Sequence, residues 1–337
     1  MCPGLSVAKV SRRGLPPSRS ITSMFSDARC TGYGRRSALA FRTVVISNEA
    51  ELHVRQGQLV AIQDQTVWIP VEDIAVLVLE NPRVHVSAAA LSLLAEQGVA
   101  VAVCDRKHMP SGLLLPHCQH SRQLAVTRRQ FSLSLPQKKR LWQRLVRFKI
   151  ENQAACLDAL SLAGSEKMRA YASAVQSGDA SGMEAAAARL YFKKLIPDGT
   201  RRDPKGPGGS LDYGYAILRA AIARSLVGHG FYPAVGLHHN SQLNAFNLAD
   251  DLLEPFRPFA DIVAIGRKVV ASTRDGRQAL VSTLQMTCLL DDKEHSVLTA
   301  IDAAAASLAR AQAEMDPSLL ALPRVMASSD VPALLLE

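Results

Sequence analysis

The chain has 337 residues, 48% of them hydrophobic and 20% charged, a balance that builds real cores and excludes a disordered protein. No apolar run reaches the roughly 18 residues of a membrane helix, and the six cysteines, at 2, 30, 104, 118, 156 and 288, form neither CxxC pairs nor a His/Cys metal spacing, so free thiols in a reducing cytoplasm are expected. The net charge of +9 is uneven: in residues 1–40, Lys9, Arg12, Arg13, Arg19, Arg29, Arg35 and Arg36 face Asp27 alone, which leaves the rest of the chain only mildly basic.

Residues 1–38 are rich in Arg, Ser, Gly and Pro, without hydrophobic periodicity or an apolar signal core, and are expected to be a disordered basic extension. Its composition would suit an organellar transit peptide, but an upstream extension before a start at Met24 is the favoured reading. From 39 to 112 short β-branched runs follow at intervals of about ten residues: TVVIS, ELHVR, QLVAI, TVWIP, IAVLVL and VHVS. They predict a small β-sandwich with one helix, capped by Ser87, facing inward with Leu91 and Leu94 and ending at Gly98, and then a buried strand VAVAVC. After Pro116 apolar residues recur at helical spacing over 137–162, 165–177, 181–195, 211–228, 247–274 and 295–314. The fold class is thus α+β in two domains, with an all-α domain at 121–325 and a tail at 326–337.

Three segments offer chemistry. Between Arg106 and Ile150 there are eleven Lys or Arg and no Asp or Glu. In KKRLWQRLVRFKI, Leu141, Leu145 and Phe148 can face a core while Arg140, Arg144 and Arg147 line another side, which suits a DNA phosphate backbone or a plain solvated face. The loop PDGTRRDPKGPGG sets Arg201, Arg202 and Lys205 before a helix N-terminus, an anion site or an ordinary loop. In GLHHNSQLNAFNLADDLLEPFRPFAD, His238 and His239 precede a helix on which Asp251 and Glu254 share a face, and Pro255 strains that helix just after Glu254. Glu184, in GMEAAAARLYFKKL, precedes small alanines that let another helix or a ligand approach closely, although an exposed helical acid is the ordinary reading. Carboxylates with imidazole suit Mg²⁺ or Mn²⁺.

The last of these segments resembles the histidine-to-DLxEPFRP signature of the CRISPR-associated integrase family ("Cas-one"), in the style of its type II branch. The likeness runs from about Phe41 to about residue 320, with VEDIAVLVLENPRVHVSAAALSLLAEQGVAVAVCDRKHMPSGLLLP similar to the family's β-domain and hinge, the latter at 113–120. The resemblance implies metal ligands at Glu184, His239 and Glu254, with Asp251 a supporting carboxylate and His238 a competitor for the ligand position. It also implies a cytoplasmic homodimer that binds a small ferredoxin-like subunit ("Cas-two"), double-stranded prespacer DNA and CRISPR repeat DNA, with no membrane. The reaction implied is transesterification, in which a prespacer 3′-hydroxyl attacks a phosphodiester of the repeat, with associated endonuclease activity. A metal-dependent nuclease using water and a non-catalytic DNA-binding scaffold are the rival readings.

Overall fold

The computed structural model describes residues 42–116, 120–197 and 206–326, which belong to one compact unit. The expected extension at 1–38, the cations Arg201, Arg202 and Lys205, and all but the first residue of the tail at 326–337 lie outside the described residues.

The β-branched runs become strands because their side chains have cores to enter, and a further strand lies at Pro110–Leu114, in PSGLL, which no such run marked. β1 (Arg42–Ile46), β2 (Glu51–Arg55), β3 (Gln58–Ile62), β4 (Thr66–Ile69), β5 (Ile74–Leu79), β6 (His85–Val86), β7 (Ala100–Cys104) and β8 (Pro110–Leu114) form two four-stranded sheets, ordered β1-β5-β7-β8 and β4-β3-β2-β6. The first sheet is parallel except for β8; in the second, β2, β3 and β4 form an antiparallel meander and β6 lies parallel to β2. Gln56 and Gly57, both with positive φ, make the two-residue turn between β2 and β3.

Leu52 and Leu59 from one sheet meet Ile74, Leu77 and Val101 from the other, and α1 (Ala88–Glu96) closes this core with Ala90 and Leu94. Ser87 caps α1 by accepting from Ala90 N at 3.2 Å, and Gly98 takes the left-handed conformation after its end, as expected. The remaining face of β5 packs elsewhere: Ala75, Val76 and Val78 join the helical core. That double burial is why IAVLVL is a continuous apolar run and not an alternating one.

The helices are α2 (Gln123–Ser132), α3 (Leu135–Ala159), α4 (Ser165–Ser173), α5 (Met183–Leu195), α6 (Pro207–Gly228), α7 (Asn247–Leu253), α8 (Arg257–Asp261), α9 (Arg274–Val281) and α10 (Val297–Ala313). Two expectations are corrected. The second half is not all-α, because β9 (Thr287–Leu290) and β10 (Lys293–Ser296) form a hairpin whose turn places Asp291 and Asp292 at positive φ, a conformation that aspartate tolerates. The helix expected over 247–274 is also broken. Pro255 and Pro258 each remove a donor, so α7 tightens into a 3-10 turn at Glu254–Phe256, and α8 is followed by a π turn at Ile262–Gly266. Among the described residues no helix is long and apolar enough to cross a membrane, and Cys104, Cys156 and Cys288 are buried free thiols.

Candidate metal centre

α3 is the spine of the site. Trp142, Leu145, Lys149, Asn152 and Cys156 follow one another three or four positions apart and are all buried, so they form the inner stripe of this helix. Asn152 fixes what lies against it: its Nδ2 donates to the carbonyls of Pro255 and Pro323, at 2.8 and 2.9 Å, and its Oδ1 accepts from Val325 N at 3.1 Å. The proline-broken turn that carries Glu254 is therefore tied to α3 through a carbonyl oxygen that Pro258 cannot satisfy with an N–H.

Glu184 stands in the first turn of α5, where the Asp179 carboxylate accepts from the backbone N–H groups of Met183 and Glu184, at 2.9 and 3.1 Å. The two glutamates meet at Lys149, whose Nζ lies 2.7 Å from Glu184 Oε1 and 2.6 Å from Glu254 Oε2. Arg257 takes the other oxygen of Glu254, Nε to Oε1, at 2.9 Å, and stacks its guanidinium over Tyr215 at 4.5 Å. Burial raises the pKa of Glu254, but Lys149 and Arg257 outweigh it and bring the carboxyl down to about 2. Burial likewise disfavours the Lys149 ammonium, and the charges of Glu254 and Glu184 reverse that, leaving its pKa raised.

The histidines are held by a buried aspartate. Asp251, fully buried, accepts from the backbone N–H groups of Leu237, His238 and His239 at 2.5, 3.1 and 3.0 Å, and its Oδ1 is 2.7 Å from His239 Nδ1. The bond to Asp251 pushes the His239 pKa up against the effect of burial, with Glu254 adding to the rise. With Nδ1 engaged, Nε2 is the nitrogen left to ligate, as in carboxylate–histidine–metal arrangements. Gly236 is required here, because a Cβ would collide with the His239 carbonyl and with Asp251 Oδ2. His238 is exposed and lies flat on Trp142, ring centroids 4.2 Å apart, while His239 meets the same indole edge-on at 5.7 Å.

Of the residues named from sequence, Glu184, Glu254, His239 and Asp251 thus gather around the inner face of α3. Among the described residues no three His, Cys, Asp or Glu stand grouped as a metal cage; the cation shared by the two glutamates is Lys149. The donors nevertheless suit a hard divalent ion: two carboxylates converge on one positive charge, and Glu254 Oε2 is buried with Lys149 as the partner the structure gives it, at 2.6 Å. Sequence reasoning missed Lys149, Trp142, Asn152 and Arg257. The available signal for Lys149 was a cation on the apolar stripe of an amphipathic helix.

Arg140, Arg144 and Arg147 share the opposite side of α3, around a cleft of about 500 Å³ also lined by Arg324 and Ser318. Residues 147 and 149 are about 200° apart on the helix, so these arginines face away from the glutamates. Arg144 donates to the Leu320 carbonyl at 2.8 Å, Arg147 pairs with Glu151 at 2.9 Å, and Phe148 lies between Arg144 and Arg324. Burial first, and then the charges of Arg147 and Arg324, lower the Arg144 pKa, against the opposing charges of Asp291 and Asp316.

The CRISPR-associated endonuclease Cas1 of Neisseria meningitidis serogroup C (strain 8013) is 39% identical over 296 residues, 86% of this chain and 97% of that protein. The fold is similar to that of a casposase bound to integration product, with a TM-score of 0.68 and 18% identity over 81% of this chain and 91% of that one. It is also similar to a chain of a Cas6-RT-Cas1–Cas2 complex, with a TM-score of 0.66 and 19% identity over 86% of this chain and 36% of that one. The sequence pattern described as CRISPR associated protein Cas1 matches residues 43–300, from β1 through the glutamates and histidines of the centre into α10, and the chain belongs to that family.

Proposed function

We propose that this protein is a metal-dependent DNA integrase of CRISPR spacer acquisition. It joins the 3′-hydroxyl ends of prespacer DNA to the CRISPR repeat by transesterification and has an associated endonuclease activity. The observation that carries the reading is the convergence of Glu184 and Glu254 on one cation, beside a histidine whose Nδ1 is pinned by buried Asp251. Glu184, Glu254 and His239 would hold Mg²⁺ or Mn²⁺, which when bound supplies Lewis acidity at the scissile phosphate. Asp251 sets the imidazole tautomer and anchors the loop that presents it, Arg257 keeps Glu254 ionised and aimed, and Asn152 holds the turn in place.

The attacking oxygen comes from DNA. Ser241, the one hydroxyl side chain in 236–261, sits in the loop that Asn247 ties down through the Ser241 backbone, with no base assigned to it. The casposase, solved with its integration product, supports joining as the reaction, and the name of the meningococcal relative supports cleavage. The Cas6-RT-Cas1–Cas2 complex supports a Cas2 subunit as partner; that subunit would be small and ferredoxin-like, and the protein would act as a homodimer on double-stranded prespacer and repeat DNA. Arg140, Arg144 and Arg147 would hold a phosphate backbone on the far side of α3, with Arg201, Arg202 and Lys205 as further DNA contacts.

The test is an integration assay with the partner subunit, a supercoiled repeat plasmid and labelled prespacer. Prespacer ending in a 3′-hydroxyl is expected to become covalently joined in Mg²⁺ or Mn²⁺ and not with EDTA, and 3′-dideoxy ends to bind without joining. Equal nicking with blocked ends and no covalent label would replace the integrase reading with a hydrolytic nuclease.

A further inference from the structure

The two acids that a divalent ion would bridge already share a positive charge. Lys149 Nζ is 2.7 Å from Glu184 and 2.6 Å from Glu254, and the three side chains are 11%, 25% and 5% exposed, so water screens this contact weakly. Glu254 is held from both ends: Arg257 occupies Oε1, which turns Oε2 toward Lys149 and Glu184. Lys149 is the partner that Oε2 has there. An ammonium and a divalent ion held by the same two carboxylates would meet as like charges in a poorly solvated place.

The local charge adds weight to this conflict. Glu184 and Glu254 are balanced by Lys149 and Arg257 before any metal arrives. With the Asp251 carboxylate behind His239 counted as well, a divalent ion added to that set leaves one uncompensated positive charge, and withdrawal of the ammonium restores neutrality. Lys149 has a long unbranched stem that can do so, whereas Arg257 is fixed by its stacking on Tyr215.

We propose that Lys149 is the built-in counter-ion of this centre, and that a divalent cation enters by exchange with its ammonium. The proposal rests on the metal reading above. Before exchange, Lys149 keeps two buried acids together and holds the centre in shape. During exchange, its grip on them subtracts from the affinity for metal. Observed metal affinity is then a difference between two cations, and removing the first must strengthen the second.

Mn²⁺ binding, read from the electron paramagnetic resonance of free Mn²⁺, is compared for the wild-type chain, Lys149→Met and Glu254→Gln, together with thermal unfolding with and without Mn²⁺. Lys149→Met is expected to unfold at a lower temperature than wild type in metal-free buffer and to recover with Mn²⁺. It is expected to bind Mn²⁺ at least about tenfold more tightly, equivalent to about 1.4 kcal/mol of competition removed. Glu254→Gln is expected to lose binding. If Lys149→Met is insoluble without metal, Lys149→Gln, whose amide can still bridge the acids, carries the same comparison. Wild-type or weaker Mn²⁺ affinity in the soluble Lys149 variant overturns the exchange while leaving the metal site standing. Failure of the metal reading has a different signature, in which wild type binds no Mn²⁺ or Glu254→Gln binds it equally well, and the exchange proposal falls with it.

Discussion

Asp251→Asn tests the anchoring of the histidine loop more sharply than any change to the histidines themselves. The carboxylate receives four N–H groups: Oδ1 from His239 N and His239 Nδ1, Oδ2 from Leu237 N and His238 N. An asparagine has the same shape but only one acceptor oxygen, so whichever way its amide turns, two donors face an NH₂ group. Each hydrogen bond to a charged partner contributes about 1.5–3 kcal/mol, and losing two of them should cost roughly 3–6 kcal/mol, since Asp251 is fully buried and no water can replace it. Urea unfolding followed by circular dichroism reads this as a lower midpoint at unchanged slope. His239→Ala removes only one of the four acceptances and should cost clearly less. A loss below about 1 kcal/mol for Asp251→Asn would refute the argument, because it would mean that the four donors find other partners.

The ion pair of Glu80 and Arg277, 1% and 7% exposed, joins the end of β5 to α9, with Tyr213 of α6 donating to the same carboxylate. Arg277→Met should cost about 3–5 kcal/mol in urea unfolding by leaving Glu80 buried and unpaired. Burial raises the Glu80 pKa, but Arg277 and Ser47 outweigh it and lower it below 4.5. The stability this group adds is therefore present above pH 4.5 and lost as pH falls through the lower folded value, so Glu80→Gln should flatten the acid side of the stability curve below 4.5. Arg140→Gln and Arg147→Gln should each reduce the slope of log affinity against log salt by about 0.9 for every phosphate they cease to neutralise, in filter binding to duplex DNA. An unchanged slope returns that cleft to solvent. His239→Ala should abolish joining in the integration assay, whereas His238→Ala, which removes a ring stacked on Trp142 and not held by Asp251, should retain most of it. The reverse order would move the ligand by one position.

The strands of the first hundred residues were legible because β-branched runs set between turn residues are a property of neighbouring residues, and Ser87 and Gly98 marked the ends of α1 by local chemistry. What local pattern could not supply was partnership. The pairing of β1, β5 and β7 in parallel needs crossovers, and β5 serves two cores only because helices from later in the chain cover its second face. The hairpin of β9 and β10 escaped because its turn is Asp-Asp, without the glycine that usually announces one, and α9 carries charges at most of its first positions.

The centre divides along the same line. Asp251 and Glu254 lie three residues apart and could be read as one face, and Pro255 marked the place where α7 gives way to a 3-10 turn. Glu184 reached the site only by resemblance, because nothing in MEAAAARLYF says that the acid will meet a lysine 35 residues earlier in the chain. The arginines of α3 were conspicuous and Lys149 was not, although both belong to one run, because the arginines collect on one polar face and Lys149 stands alone among apolar residues. The inner stripe Trp142, Leu145, Lys149, Asn152 reads differently: a cation and an amide among large apolar residues, on a helix whose polar side already has its share of charge. Burying an ammonium is costly unless acids await it. A lysine on such a stripe therefore predicts buried carboxylates elsewhere in the chain, and Glu184 and Glu254 are the pair that answers it.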